Sequence, residues 1–125
     1  MSKPFYVNYE QPDGLESDAL EILETVSSDA VNIRKGTNET TKSIERGLAK
    51  LVFIALDVEP PEIVAHLPLL CKDKKIAYLY VISKEVLGNA CNLGIKTASC
   101  AIVGEGELKA RIDTLAARIH ELAGI

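Results

Sequence analysis

Asn38, Glu39, Lys42 and Arg46 are the residues of this chain whose types and spacing can do chemistry together. On a helical wheel at 100° per residue, with Asn38 at zero, Lys42 falls at about 40°, Arg46 at about 80° and Glu39 at about 100°. Gly47, Thr40, Ile44 and Leu48 fall on the opposite side. One face is apolar or small and packs inward. The other presents an amide, a carboxylate and two cations. Arg34 and Lys35 precede it, and Gly36 supplies the turn between. A bare phosphate has no use for Glu39. A nucleobase edge does, because carboxylates accept from base N–H groups, amides donate and accept, and Lys or Arg donates to guanine. Arg34 and Lys35 suit backbone phosphates. The amides of the first turn add donors and partial positive charge. From spacing alone a capped, solvated surface helix is the commoner reading, since such faces are common.

Other chemistries find less support. His66 lies among apolar residues in Val64-Ala65-His66-Leu67 and reads as a hydrogen-bonded packing residue, since no nucleophile accompanies it. His120 reads as a surface position of the last helix. Cys71, Cys91 and Cys100 are widely spaced, without a C-x-x-C, and read as small buried hydrophobes. Three cysteines without a framework imply reduced thiols and an intracellular, cytoplasmic setting. Gly104-Glu105-Gly106-Glu107 has too few glycines and no Lys for a phosphate loop, so a strand-to-helix turn suffices. No paired-carboxylate, metal-ligand or G-x-G-x-x-G arrangement stands out. Neither metal nor cofactor is expected, and the chain does not read as an enzyme.

The elements that must position these residues follow from periodicity. Leu15, Ala19, Ile22, Leu23 and Val26 predict an amphipathic helix from Leu15 to about Ser28. Its other face carries Glu16, Asp18, Glu21 and Glu24. Val31-Asn32-Ile33 reads as a short strand leading into Arg34-Lys35-Gly36. The reading helix spans Thr37 to about Leu48, with Thr37 or Asn38 as its cap. Leu51–Leu56 is a buried strand. Pro60-Pro61 opens a third helix, broken or bent at Pro68. Ile76–Ile82 is a strand, and Ser83 caps a short helix from Lys84 to Cys91. Ser99–Val103 is a strand, and Leu108, Ile112, Leu115, Ala116, Ile119 and Leu122 mark a closing helix. This alternation predicts one α/β domain over 1–125. Its architecture is a three-layer α-β-α sandwich around a mixed, roughly four-stranded sheet.

The chain has 125 residues, 47% apolar and 26% charged, enough for one core and too apolar for disorder. Aromatics are 5% with no Trp, which argues against stacking platforms. No apolar run is long enough to span a bilayer, and the N-terminus lacks the apolar core of a signal peptide. The net charge of −4 and pI near 5.2 speak, taken whole, against nucleic acid. Resolved by segment they do not. Residues 1–32 carry one basic and seven acidic side chains, 33–50 five and two, and 51–125 eight and nine. A basic island therefore carries the reading helix.

The run Arg34-Lys35-Gly36-Thr37-Asn38-Glu39-Thr40-Thr41-Lys42-Ser43-Ile44-Glu45-Arg46-Gly47 resembles the signature of the kink-turn-binding ribosomal protein family. This is the family of archaeal large-subunit protein L-seven-A-e and its spliceosomal and nucleolar relatives. The resemblance continues through Ala55-Leu56-Asp57-Val58-Glu59-Pro60 and Val64-Ala65-His66-Leu67-Pro68-Leu69-Leu70-Cys71. Ser83-Lys84, Leu87-Gly88 and Ala98-Ser99-Cys100-Ala101-Ile102 extend it over nearly the whole chain. The short form looks most like the archaeal members. Two positions depart: Leu56 where an acidic residue is usual, and Asn92 where a glycine is common. Asn tolerates left-handed backbone.

The resemblance implies a protein that binds RNA kink-turns through tandem sheared G·A pairs. Asn38, Glu39 and Lys42 would read the pair edges. Arg34, Lys35 and Lys84 would contact phosphates, with Arg46 helping. Gly36-Thr37 would let backbone approach the RNA. Leu93-Gly94-Ile95 and Ala98 would hold the bulged nucleotide, with Glu59 and Ile63 on the same side. The implied RNAs are large-subunit ribosomal RNA, box C/D and H/ACA guide RNAs and ribonuclease P RNA. The implied protein partners within box C/D particles are the Nop-domain scaffold and fibrillarin, with a monomer when free and no membrane. Two other readings compete: a module of an RNA-modifying enzyme, and an adaptor whose acidic first helix docks basic partners.

Overall fold

Four apolar runs meet in one mixed sheet. The computed structural model describes residues 4–92 and 94–125. Its strands are β1 (Ile33–Lys35), β2 (Leu51–Ala55), β3 (Tyr78–Val81) and β4 (Ser99–Ile102). Their order is β1-β4-β2-β3. β4 runs antiparallel to both β1 and β2, while β2 and β3 are parallel. Every residue of β2 is buried, because helices cover both faces of this central strand.

The helices are α1 (Leu15–Val26), α2 (Thr37–Glu45), α3 (Glu62–Lys74), α4 (Lys84–Ala90) and α5 (Lys109–Ala123). α2 packs on α3 in one layer, and α1 packs on α4 and α5 in the other. The three-layer sandwich is therefore the one the sequence predicts. Leu15, Ala19, Ile22, Leu23 and Val26 all turn inward from α1.

Several boundaries differ from the sequence reading. Val31 and Asn32 lie in a 3-10 turn, Ala30–Asn32, not in the first strand. The Asp29 carboxylate accepts from the Val31 amide at 3.2 Å and holds that turn. The strand consequently starts at Ile33 and takes in Arg34 and Lys35. α2 ends at Glu45 rather than Leu48. There Gly47, at φ 70, donates to the Ile44 carbonyl, and Leu48 donates to Ser43. This is the glycine-terminated pairing of a Schellman motif. Leu48, expected on the apolar face, is left half exposed. α3 runs unbroken through Pro68, whose ring is buried. The missing N–H costs one bond of a thirteen-residue helix packed against α2 and β2. Ser83 caps α4 as expected, its Oγ accepting from the Val86 amide. His120 is half-buried rather than a surface residue.

The exposed edge of β3 is covered by side chains of the N-terminal segment. The Gln11 carboxamide donates to the Tyr80 carbonyl and accepts from the Tyr80 amide, both at 2.8 Å, standing in for a neighbouring strand. The Tyr9 hydroxyl donates to the Tyr78 carbonyl at 2.6 Å, and the Tyr6 hydroxyl to Ala55 at 2.9 Å. All four tyrosines thus gather at one edge, in edge-on or tilted ring contacts.

Candidate nucleic-acid interface

β1 and its partner strand aim the start of α2. Lys35 pairs with Cys100, and the next amide, Gly36, donates to the Ser99 carbonyl at 3.0 Å. The ladder then ends because Gly36 turns to φ 89, ψ 157, a region essentially closed to other residues. Its carbonyl accepts from the Thr40 amide at 2.9 Å, so Gly36 is the first capping residue of α2. The expected capping by Thr37 or Asn38 does not occur. The Thr37 hydroxyl instead shares a 3.0 Å hydrogen bond with Ser99 Oγ, pinning α2 to β4. Among the described residues no side chain caps α2, so its first amides remain available as donors.

Thr40, Ser43 and Ile44 are buried beneath α2, as the wheel requires. Asn38, Glu39 and Lys42 are exposed on the other side. Glu39 Oε1 lies 3.6 Å from Lys42 Nζ, with both side chains about half exposed. Such a pair contributes little to folding and can open without much cost. Arg34 bends back, its guanidinium donating to the Val31 and Ile33 carbonyls at 3.2 Å each. Arg46 stands apart: it is the last capping residue of α2, about 12 Å along the axis from Asn38.

Thr37, Asn38 and Lys42 share an open groove of about 430 Å³ with Ile63 of α3. Thr41, Glu45 and His66 also line it and were missed by the sequence reading. Thr41 and Glu45 were legible, three and seven residues after Asn38. His66 was not, since it comes from another helix. It is exposed rather than packed among apolar neighbours, and its Nε2 meets Thr41 Oγ1 at 2.9 Å.

A second group of predicted residues gathers where α4 begins. Asp57 Oδ1 accepts from the Lys84 amide at 2.8 Å, and the Lys84 carbonyl accepts from Thr97 at 3.2 Å. The Ala55 amide donates to Ala98 at 2.9 Å. These bonds hold the 94–98 loop against the ends of β2 and α4. Gly88 permits that approach: a Cβ there would lie 1.9 Å from the Ile95 carbonyl oxygen. Asn92 takes φ 61 and Gly94 φ 71, so asparagine does adopt the left-handed turn. Leu93 lies outside the described residues. Ile95 is 68% exposed and Ile63 45%. Ala98 is half-buried, and Glu59 is exposed on the loop after β2. Ser99 joins the two groups, bonding Gly36 and Thr37 one residue after Ala98.

The remaining chemistry is sparse. Among the described residues no group of three or more His, Cys, Asp or Glu could hold a metal ion. No helix among them is long and apolar enough to cross a membrane. Cys71, Cys91 and Cys100 are buried free thiols. A groove of about 400 Å³ between α1 and α5 contains none of the predicted residues.

The α/β sandwich thus presents an uncapped helix start, a mixed polar face and an apolar-tipped loop on an open surface. Residues 18–112 match the sequence model of the ribosomal protein L7Ae/L30e/S12e/Gadd45 family, and the chain belongs to that family. This is the family indicated by the Lys35–Lys42 run. Among solved structures the chain is similar to a 15.5kD RNA binding protein from Giardia lamblia. The two are 33% identical over 97% of this chain and 99% of that one, with a TM-score of 0.85.

Proposed function

We propose that this chain is an RNA-binding protein that recognises kink-turns. The observation that carries the reading is the exposed start of α2. An amide, a carboxylate and an ammonium stand there side by side, above amides that no side chain caps. That set matches the mixed donors and acceptors of purine edges and not a phosphate alone. The Giardia lamblia relative, described as RNA binding, adds support.

In this reading Asn38, Glu39 and Lys42 contact the edges of sheared G·A pairs, and the Glu39–Lys42 pair opens as each finds a base. Lys35 and Lys84 contact phosphates. Arg34 joins them by releasing its two backbone carbonyls, and Arg46 reaches RNA farther along α2. Gly36-Thr37 brings backbone close to the strand. Ile95, Gly94 and Ala98 offer the apolar surface for a bulged nucleotide, with Ile63 and Glu59 on the same side. The RNAs proposed are large-subunit ribosomal RNA, box C/D and H/ACA guide RNAs and ribonuclease P RNA. The Nop-domain scaffold and fibrillarin are the proposed partners in box C/D particles.

The test is a titration of the chain with a kink-turn RNA and with a stem of equal length lacking the G·A pairs. The proposal expects tight binding to the first and weak binding to the second. Equal binding to both, or to neither, would sink it.

A further inference from the structure

Cys91 ends α4 and Cys100 sits in β4, and their thiols share a hydrogen bond with the sulfurs 3.3 Å apart. Eight residues lie between them, and the loop they enclose is the one that carries Gly94, Ile95 and Ala98. Cys100 is also the strand partner of Lys35 and the neighbour of Ser99. The pair therefore sits beneath both halves of the candidate interface. We propose that Cys91 and Cys100 form a thiol–disulfide exchange site, oxidised by a low-molecular-weight disulfide to an intrachain cystine that clamps the 94–98 loop. This holds whether or not RNA is the ligand.

Three observations support it. A disulfide needs its sulfurs about 2.05 Å apart, so they must close by roughly 1.3 Å. Cys91 can supply that movement, because it lies at a helix end followed by a left-handed turn at Asn92. The two thiols differ in acidity. The shared hydrogen bond holds Cys91 below the ordinary thiol value, while burial pushes Cys100 well above it. Lys35 adds positive charge beside both. Cys71 has no such partner, and burial alone pushes its thiol up to about 12.

Both thiols are fully buried, so the step begins with local opening of the loop. The Cys91 thiolate attacks one sulfur of the small disulfide, whose S–S bond breaks and releases a thiolate. Cys100 then attacks Cys91 Sγ in the mixed disulfide and expels the second thiolate. The two cysteines are oxidised and the small disulfide is reduced. The two cysteine protons end on the two released thiols.

Trypsin cuts after Lys84, Lys96 and Lys109, which places Cys91, Cys100 and Cys71 in three separate peptides. The experiment incubates the folded full-length chain with oxidised glutathione, quenches with acid and maps the peptides by mass. The expected product is the 85–96 peptide linked to 97–109, two hydrogens lighter than their sum, with Cys71 free. Dithiothreitol should separate them. Amide exchange at residues 94–98 should slow by about tenfold in the oxidised chain. Cys100→Ser should trap glutathione on Cys91, provided circular dichroism shows a folded chain, while Cys71→Ser should leave the linkage intact. Glutathione persisting on Cys91 in the unmodified chain would overturn the proposal. So would linkage through Cys71, or no oxidation while the denatured chain reacts.

Discussion

Replacing Gly88 by alanine adds one methyl group where backbone already stands. The new Cβ would lie 1.9 Å from the Ile95 oxygen, 2.8 Å from its carbonyl carbon and 3.2 Å from Lys96 Cα. These atoms are main chain, so no rotamer change relieves the overlap. Ordinary contact requires the 95–96 segment to retreat by about 1.5 Å, against the close packing of the interior. That segment is tied by the Thr97-to-Lys84 and Ala55-to-Ala98 hydrogen bonds. Alanine in a helix gains about 1 kcal/mol over glycine. Overpacking costs about 1–3 kcal/mol. The net effect on folding is therefore a loss of about 0–2 kcal/mol, a few degrees in melting temperature. In the proposed reading recognition suffers as well, because Gly94, Ile95 and Ala98 move together. Kink-turn affinity should fall about tenfold, or 1.4 kcal/mol. Gel-shift titration and thermal denaturation by circular dichroism read the two effects separately. Wild-type affinity would refute the role of the loop, and a melting temperature above that of the wild type would refute the packing argument.

Glu39→Ala and Lys42→Ala should each cost about 1–3 kcal/mol of kink-turn binding and relax discrimination at the G·A pairs. Their exposed ion pair adds little to folding, so melting temperatures should stay put. A titration giving native affinity for both variants would count against the reading helix. Lys35→Ala should weaken kink-turns of different sequence alike and flatten the dependence of log affinity on log salt. An unchanged slope would remove Lys35 from the phosphate contacts. Alkaline pH should destabilise the fold through the tyrosine edge. Burial raises the Tyr78 hydroxyl to about 12 from an ordinary 10.0, and raises Tyr9 and Tyr80 as well. The unfolded chain loses these protons first, so the stabilisation is whole below about pH 10 and drains away as pH rises towards 12. Urea midpoints that match at about pH 9 and 11 would contradict this.

Local patterns carried most of the architecture. Helical spacing from Leu15 to Val26 found α1, and the unbroken apolar run Leu51–Leu56 found the central strand within one residue. The polar face of α2 was legible for the same reason: periodicity reports which side of a helix meets solvent, whatever it packs against. Even the end of α2 was written locally, in Gly47, though the wheel ran past it.

Tertiary structure decided what periodicity cannot report, namely which distant groups meet. Thr37 looked like a cap, but Ser99 lies within 3.0 Å of its hydroxyl and claims it, leaving the helix start open. His66 looked like a hydrogen-bonded packing residue because its neighbours in sequence are apolar. The hydrogen bond is there, to Thr41 across the α2–α3 groove, but the side chain is exposed rather than packed. The N-terminal tyrosines and Gln11 gave no strand pattern, yet their polar tips close the sheet edge. Gly88 and the loop at Ile95 are seven residues apart, and only folding shows that one exists to admit the other. Each of these depends on a hydrogen-bonding partner or an excluded volume supplied from elsewhere in the chain. The residue types of the candidate interface can be read in order along the sequence, but which of their polar groups stay free is settled by the contacts that the fold takes up or leaves open.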